Sequence, residues 1–261
     1  PCILYSQSAL WSEPAKTDRK HRLVDRMTPP LRMTPVMGEK NPGMTVKEND
    51  YFVPFVVDPC RAPGERTYFA DGRIHILCIG KYEIRKHHLE LLRAVEQLRD
   101  KYEIRLTLVG EATNRFQKEY CEQVKKYARE HDMDNLVTVK TNVPKRDMER
   151  EYLAADLYVI PSTLEMASVS QLEAMSYSLP VICSDTNGTA CYVEDGVTGY
   201  LFRDCDEADL LSKLDDMLSD RERMLSMGEA GYRAVVGKYN FNSYFNTITE
   251  MREKILQENL Y

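Results

Sequence analysis

Two carboxylates, Glu165 and Glu173, stand eight positions apart in the stretch PSTLEMASVSQLEAMSYSLP, residues 161–180, which is otherwise small and apolar. On one continuous helix they would point about 80° apart and share no stripe. The local signals place them on different elements. The apolar run 157–160, stopped by Pro161, reads as a buried strand of a parallel sheet, and a helix opens at Ser168. Gln171, three residues on, completes a capping-box pattern; Leu172, Met175 and Leu179 supply the inner face, and Pro180 ends it. Glu165 thus lies in the loop after a strand and Glu173 about one and a half turns into the helix. Open α/β sheets bind ligands at the carboxyl ends of their strands, so both acids can face one crevice. A charged carboxylate accepts hydrogen bonds worth about 1.5–3 kcal/mol each, and the diols of sugars and riboses are suitable donors. No His or Asp at ligand spacing accompanies the pair, which argues against a metal site; a purely structural role for the two acids stays open.

Cations come next. The segment GKYEIRKHH places Lys81, Arg85 and Lys86 just after a strand that ends at Gly80. Charge-assisted bonds from such groups to phosphate oxygens are about twice as strong as neutral ones. A cation at a helix start is mildly disfavoured by the helix dipole, which favours a use for these residues over decoration. Neither CIGKYE nor LVGEAT continues into G-x-G-x-x-G, so a dinucleotide fingerprint is absent. His87 and His88, adjacent and therefore divergent on a helix, read as surface or packing residues.

The elements that must position these groups recur in order from about residue 70. Strands are expected at 73–80, 104–110, 135–141, 157–160, 181–184 and 200–202, with helical patterns between them; Phe116, Tyr120, Val124, Tyr127 and Ala128 mark one amphipathic face. Alternation of strand and helix predicts a Rossmann-like, doubly wound parallel sheet with helices on both faces and a helical C-terminal tail. The tail carries Phe241, Tyr244, Phe245, Ile248, Met251 and Ile255 at helical spacing. Residues 1–50 are irregular and proline-rich, with a possible strand at 3–5, and residues 59–66 look like a linker. The expected division is 1–58 as an incomplete N-terminal segment with its linker and 59–261 as the ligand-binding domain, with an upstream portion missing.

Composition excludes several classes. The 261 residues are 43% hydrophobic with a net charge of −6, which gives no electrostatic reason to expect nucleic acid. Seven cysteines are scattered without a C-x-x-C pair and read as small residues of a reducing compartment. With no spanning apolar run and no leader pattern, the expected location is cytoplasmic. The basic stretch TDRKHR, 17–22, suggests either peripheral contact with anionic lipid or a solvated surface.

Taken in order, GKYEIRK, LTLVGEAT, NLVTVKTNVP and AADLYVIPSTLEMASVSQLEAMSYSLPVICSDTNGTACYVEDGVTGYLF resemble the nucleotide-sugar-binding C-terminal domain of GT-B glycosyltransferases, specifically the large retaining family 4. The resemblance covers about residues 70–220, and the E-x7-E spacing in its strand–loop–helix setting is its most specific element. It implies a hexosyltransferase that moves sugar with retention from a UDP- or GDP-sugar to a hydroxyl acceptor, glycan or lipid-linked, with no obligatory metal. Glu173 would hold the ribose and Glu165 the transferred sugar. Lys81, where the family has arginine, and Lys86 would neutralise the diphosphate beside Gly80. Asn142 and Val143 would lie near the base, and Ala167, Ser168 and Val169 would present backbone to the donor. The resemblance also implies an acceptor site in a separate N-terminal domain, to which the terminal helix would return. Ala167-Ser168, Ser178 and Cys191 depart from the family pattern; the Ala167-Ser168 and Cys191 departures motivate an alternative, a non-catalytic nucleotide-sugar-binding module, while a nucleotide-sugar epimerase of similar architecture is a third reading that the ordered motifs match less well.

Overall fold

The computed structural model describes residues 4–5, 32–34, 50–163, 165 and 168–257; Ala167, the basic stretch 17–22 and Cys2 lie outside the described residues. Among the described residues two sheets are present. Three short strands, β1 (Leu4–Tyr5), β2 (Arg32–Thr34) and β3 (Asp50–Phe52), pair in parallel. The second sheet has six parallel strands: β4 (Ile74–Ile79), β5 (Ile104–Gly110), β6 (Val137–Thr141), β7 (Leu157–Ile160), β8 (Val181–Ser184) and β9 (Gly199–Phe202). Its spatial order is β6-β5-β4-β7-β8-β9, so the chain winds outward from β4 to one edge, then returns beside β4 and winds to the other. This makes the sheet doubly wound, with its switch point between β4 and β7.

Among the described residues seven α-helices accompany the strands: α1 (His88–Leu98), α2 (Arg115–Glu130), α3 (Met148–Ala154), α4 (Val169–Ser176), α5 (Glu207–Leu218), α6 (Arg221–Lys238) and α7 (Phe241–Gln257). Side chains alternate across the pleat and feed two cores. Ile76, Cys78, Val159 and Ile182 join Leu91, Leu92 and Val95 of α1, Val124 of α2 and Leu214 of α5 on one face. Leu77, Tyr158, Ile160, Val181 and Cys183 join Tyr152 of α3, Leu172 and Met175 of α4 and Val235 of α6 on the other. Both faces are covered, which is why the central strands read as continuous apolar runs rather than alternating ones.

Two close approaches depend on glycine. A Cβ on Gly110 would collide with the Gly80 carbonyl and come within 2.7 Å of the Tyr82 ring, which lies over the ends of β4 and β5. A Cβ on Gly228, in the middle of α6, would strike the Ser178 carbonyl in the turn between α4 and β8. Leading into the sheet, residues 53–66 run along the α4 face: the Val57 amide donates to the Tyr239 carbonyl, and the amides of Cys60 and Arg61 both reach the Ser176 carbonyl.

Three local expectations are corrected. Ser168 does precede α4, but its hydroxyl makes no cap and pairs with Ser170 Oγ at 2.8 Å. Gln171 is fully buried and spends its amide on the Thr189 carbonyl at 2.8 Å, because residues 188–192 pack over the helix start. Phe116, assigned to an inner face, is 80% exposed, since it sits in the first turn of α2 beyond the end of the sheet. Lys86 and Arg85 lie not in a helix start but in the 3₁₀ turn 84–86 that precedes α1.

Candidate active site

The loops that leave the carboxyl ends of β4, β5, β6 and β7 hold nearly every residue singled out by type and spacing. After β4, the 3₁₀ turn ends at His87, whose φ of 50° reverses the chain into α1. The reversal aims Lys86 back across the end of its own strand. Its aliphatic stem passes Gly80 closely, with Cδ 3.4 Å from where a Cβ would stand, so the glycine leaves that path clear. Lys86 is 8% exposed, and its Nζ meets Glu165 Oε2. Arg85 Nη1 reaches the same oxygen at 2.9 Å and Glu83 Oε2 through Nε at 3.0 Å. A carboxylate whose side chain is only 12% exposed therefore holds two cations at the sheet's carboxyl edge.

Backbone bonds fix this cluster from both sides. The Thr163 amide donates to the Arg85 carbonyl at 2.9 Å, and the Gly188 amide to the Glu165 carbonyl at 2.6 Å. Three segments thus converge on a single anion: the β4 loop with its 3₁₀ turn 84–86, the β7 loop and the segment 188–192. Burying such charges is costly unless they are paired and hydrogen-bonded, and this group satisfies both conditions.

Beside the cluster, Gly80, Lys81, Asn142 and Val143 line one cavity of about 450 Å³ together with Glu111 and Met148. Lys81 is the more solvated cation, its Nζ 3.4 Å from Glu111 Oε2. Asn142 adopts a φ of 54° and accepts the Ala112 amide on Oδ1 at 2.9 Å, so it braces the β5 loop as well as lining the cavity. Tyr82 donates to the Leu108 and Lys140 carbonyls at 3.1 and 2.9 Å, which ties the β4 loop to β5 and β6. His88 is fully buried between Tyr82 and Tyr120, with ring centroids at 5.0 and 5.8 Å, and is a packing residue.

Glu173 has its own support. Tyr152 donates its hydroxyl to Glu173 Oε2 at 2.7 Å and stacks on Tyr177 at 5.0 Å with the rings 7° from parallel. Burial, the Tyr158 phenol and the Glu173 charge hold the Tyr152 pKa far above its ordinary value, so that hydroxyl remains a donor. Ser168 is buried and Val169 half-exposed at the start of α4, where Ser170 Oγ bonds both Ser168 Oγ and the Tyr158 hydroxyl. The structure therefore joins Glu165 with Lys86 and Arg85, and Lys81 with Gly80, Asn142 and Val143; Glu173 is placed on α4 with Tyr152. Tyr152, Tyr177 and Glu111 were not identified from sequence, because each is recruited by packing and no local spacing marks it.

Three comparisons describe what the chain is similar to. The family model described as glycosyl transferases group 1 matches residues 65–234. A D-inositol 3-phosphate glycosyltransferase of Nocardia farcinica is 35% identical over 101 residues, 39% of this chain and 22% of that protein. A sulfoquinovosyl transferase of Arabidopsis thaliana is 30% identical over 173 residues, 64% of this chain and 31% of that protein. The matched part thus spans less than half of either relative's length. Among solved structures, a sucrose-phosphate synthase from Thermosynechococcus elongatus superposes with a TM-score of 0.74 at 19% identity, covering 98% of this chain and 68% of that one. The Anabaena protein HepE, solved in complex with UDP and glucose, gives 0.76 at 14% identity, covering 97% and 72%.

Proposed function

The chain belongs to the glycosyl transferases group 1 family, and from that premise we propose that residues 59–261 bind a nucleoside-diphosphate sugar and present it for transfer, with retention, to a hydroxyl acceptor. In that reading Lys86 and Lys81 face the diphosphate. As the bond from the anomeric carbon to the diphosphate oxygen breaks and a bond to the acceptor oxygen forms, they stabilise the charge gathering on the leaving group; the acceptor's proton is released. Glu165 accepts hydroxyls of the transferred sugar, and Glu173 the ribose hydroxyls. Asn142 and Val143 border the space for the base, and the backbone at 168–169 approaches the donor. The acceptor belongs to a second domain, of which residues 1–58 are part.

The observation that carries this reading is the Lys86–Glu165–Arg85 group at the carboxyl edge of the sheet, in which the lysine and the carboxylate are largely buried and the arginine is partly exposed. Two cations and an anion are prepositioned where the fold collects ligands, next to a cavity of about 450 Å³ lined by a further lysine. The neighbour crystallised with UDP and glucose is consistent with a nucleotide-sugar ligand for this architecture. Calorimetric titration of the chain with UDP-, GDP- and ADP-glucose tests the proposal. One of these should bind, and Glu173→Ala should weaken it at least tenfold; absence of binding to all three by the parent chain would refute it.

A further inference from the structure

On the outer side of the Lys86 turn, away from Glu165's two cations, a second group of side chains meets. His87 ends the 3₁₀ turn before α1, while Asp204 and Cys205 lie in the connection from β9 to α5. One ligand atom from each of the three lies within 4.8 Å of the others. Asp204 Oδ2 accepts the Thr163 hydroxyl, but other polar atoms of the group are unspent. Both ring nitrogens of His87 and Oδ1 of Asp204 are buried without a hydrogen bond, although Glu90 Oε1 stands 3.3 Å from His87 Nδ1. Buried polar groups are nearly always satisfied, so the orphaned Asp204 Oδ1 and an imidazole nitrogen of His87 near it ask for a common partner. A small cavity of about 10 Å³ adjoins them, bordered by His87, Cys205, Glu90 and Phe202. That is room for a single water-sized occupant.

We propose that His87, Asp204 and Cys205 form a binding site for a divalent ion of the zinc type. Imidazole nitrogen, carboxylate oxygen and thiolate sulfur are the donors such an ion takes, whereas magnesium and calcium are held by oxygen alone. Binding converts the Cys205 thiol to thiolate and releases its proton to solvent; the +2 ion with one thiolate and one carboxylate is then electrically neutral. Bonds of about 2.0–2.3 Å draw the three ligand atoms closer than they now stand. Cys205, exposed and 3.9 Å from Thr163 Oγ1, is the side chain free to swing inward. A water completes four-coordination. The ion ties the turn that carries Lys86 to the β9–α5 connection, two segments otherwise linked by side chains alone at this point. The proposal is independent of which donor, if any, the neighbouring site takes.

Titration of the full 261-residue chain with Co²⁺ followed by Zn²⁺ tests it, with Cys205→Ser and His87→Asn as variants. Asparagine tolerates the left-handed backbone at position 87. The expected result is one Co²⁺ per chain with a thiolate-to-cobalt charge-transfer band that Zn²⁺ displaces and Mg²⁺ does not. Cys205→Ser should lose the band, His87→Asn should weaken binding at least tenfold, and both metal-free variants should keep the parent's circular dichroism. A parent without the thiolate band overturns the site. So does a band that survives in Cys205→Ser, since another cysteine would then be the ligand, or an affinity unchanged in His87→Asn.

Discussion

The bond between Tyr152 and Glu173 offers a sharp test of how the site is organised. Tyr152 is 3% exposed and donates to Glu173 Oε2 at 2.7 Å. A hydrogen bond to a charged acceptor contributes about 1.5–3 kcal/mol, and solvent access to the half-buried carboxylate sets the expectation at the lower end. Tyr152→Phe removes only the hydroxyl and keeps the ring that stacks on Tyr177 at 5.0 Å. Stability to urea should fall by roughly 1–2 kcal/mol. If Glu173 accepts the ribose, a carboxylate no longer held in place must be ordered on binding, and donor affinity should drop about tenfold, or ~1.4 kcal/mol. Glu173→Gln should cost more. The decisive measurement is the double-mutant cycle by calorimetry: a coupling of about 1 kcal/mol is expected for residues in one hydrogen-bonded pair. Single effects that add to within roughly 0.3–0.5 kcal/mol, or donor binding untouched by Tyr152→Phe, would refute the positioning argument.

Other outcomes follow from the same geometry. Lys86→Met keeps the stem beside Gly80 and removes the charge; donor affinity should fall by roughly 10- to 150-fold in a calorimetric titration, from the ~1.5–3 kcal/mol of a charge-assisted contact. Because Arg85 still pairs with Glu165, its stability cost should be about 1–2 kcal/mol rather than the 3–5 kcal/mol of a fully orphaned buried charge. Gly228→Ala forces a Cβ into the Ser178 carbonyl, whereas Gly237, in the same helix, has nothing within 4 Å of that position. The first should lose at least about 2 kcal/mol in urea melts and the second should gain about 0.5–1 kcal/mol. The hydrogen bond from His75 to Asp71 at 2.8 Å holds the Asp71 carboxyl down at about 2, below its usual 3.8. A carboxyl lowered on folding adds stability above its unfolded pKa and loses it as pH falls through the folded one. The melting advantage of the parent over Asp71→Asn should therefore shrink between about pH 4 and pH 2.

What could be read in the sequence was what is local. The β5, β7 and β8 strands occupy the spans expected for them because β7 and β8 are short apolar runs bounded by proline or a turn, and β5, although Arg105 and Thr107 alternate into it, is closed by Gly110. The loop position of Glu165 and the helical position of Glu173 followed from those boundaries. What stayed hidden depends on which strand lies beside which. With β4 between β5 and β7, the turn at 84–86 faces the loop at 161–165, and Arg85 and Lys86 meet one acid about eighty residues on. No spacing within either segment encodes that encounter. Tyr152 is a further case: in a short helix rich in charge it reads as one more core residue, and only the packing of α3 against α4 turns its hydroxyl toward Glu173. The Gln171 cap failed for a related reason, since a segment nearly twenty residues later claimed the amide first.

Glu165 gives the site a resident counter-ion. In the proposed reading an arriving diphosphate does not have to collect a loose lysine arm from solvent; it finds Lys86 already buried and oriented, with the more exposed Arg85 beside it, both leaning on a carboxylate. Loading then resembles an exchange of one anion for another, in which the displaced glutamate is released at the place where a sugar hydroxyl can use it. Recognition of the charged half of a donor and recognition of its carbohydrate half become two consequences of the same partner swap.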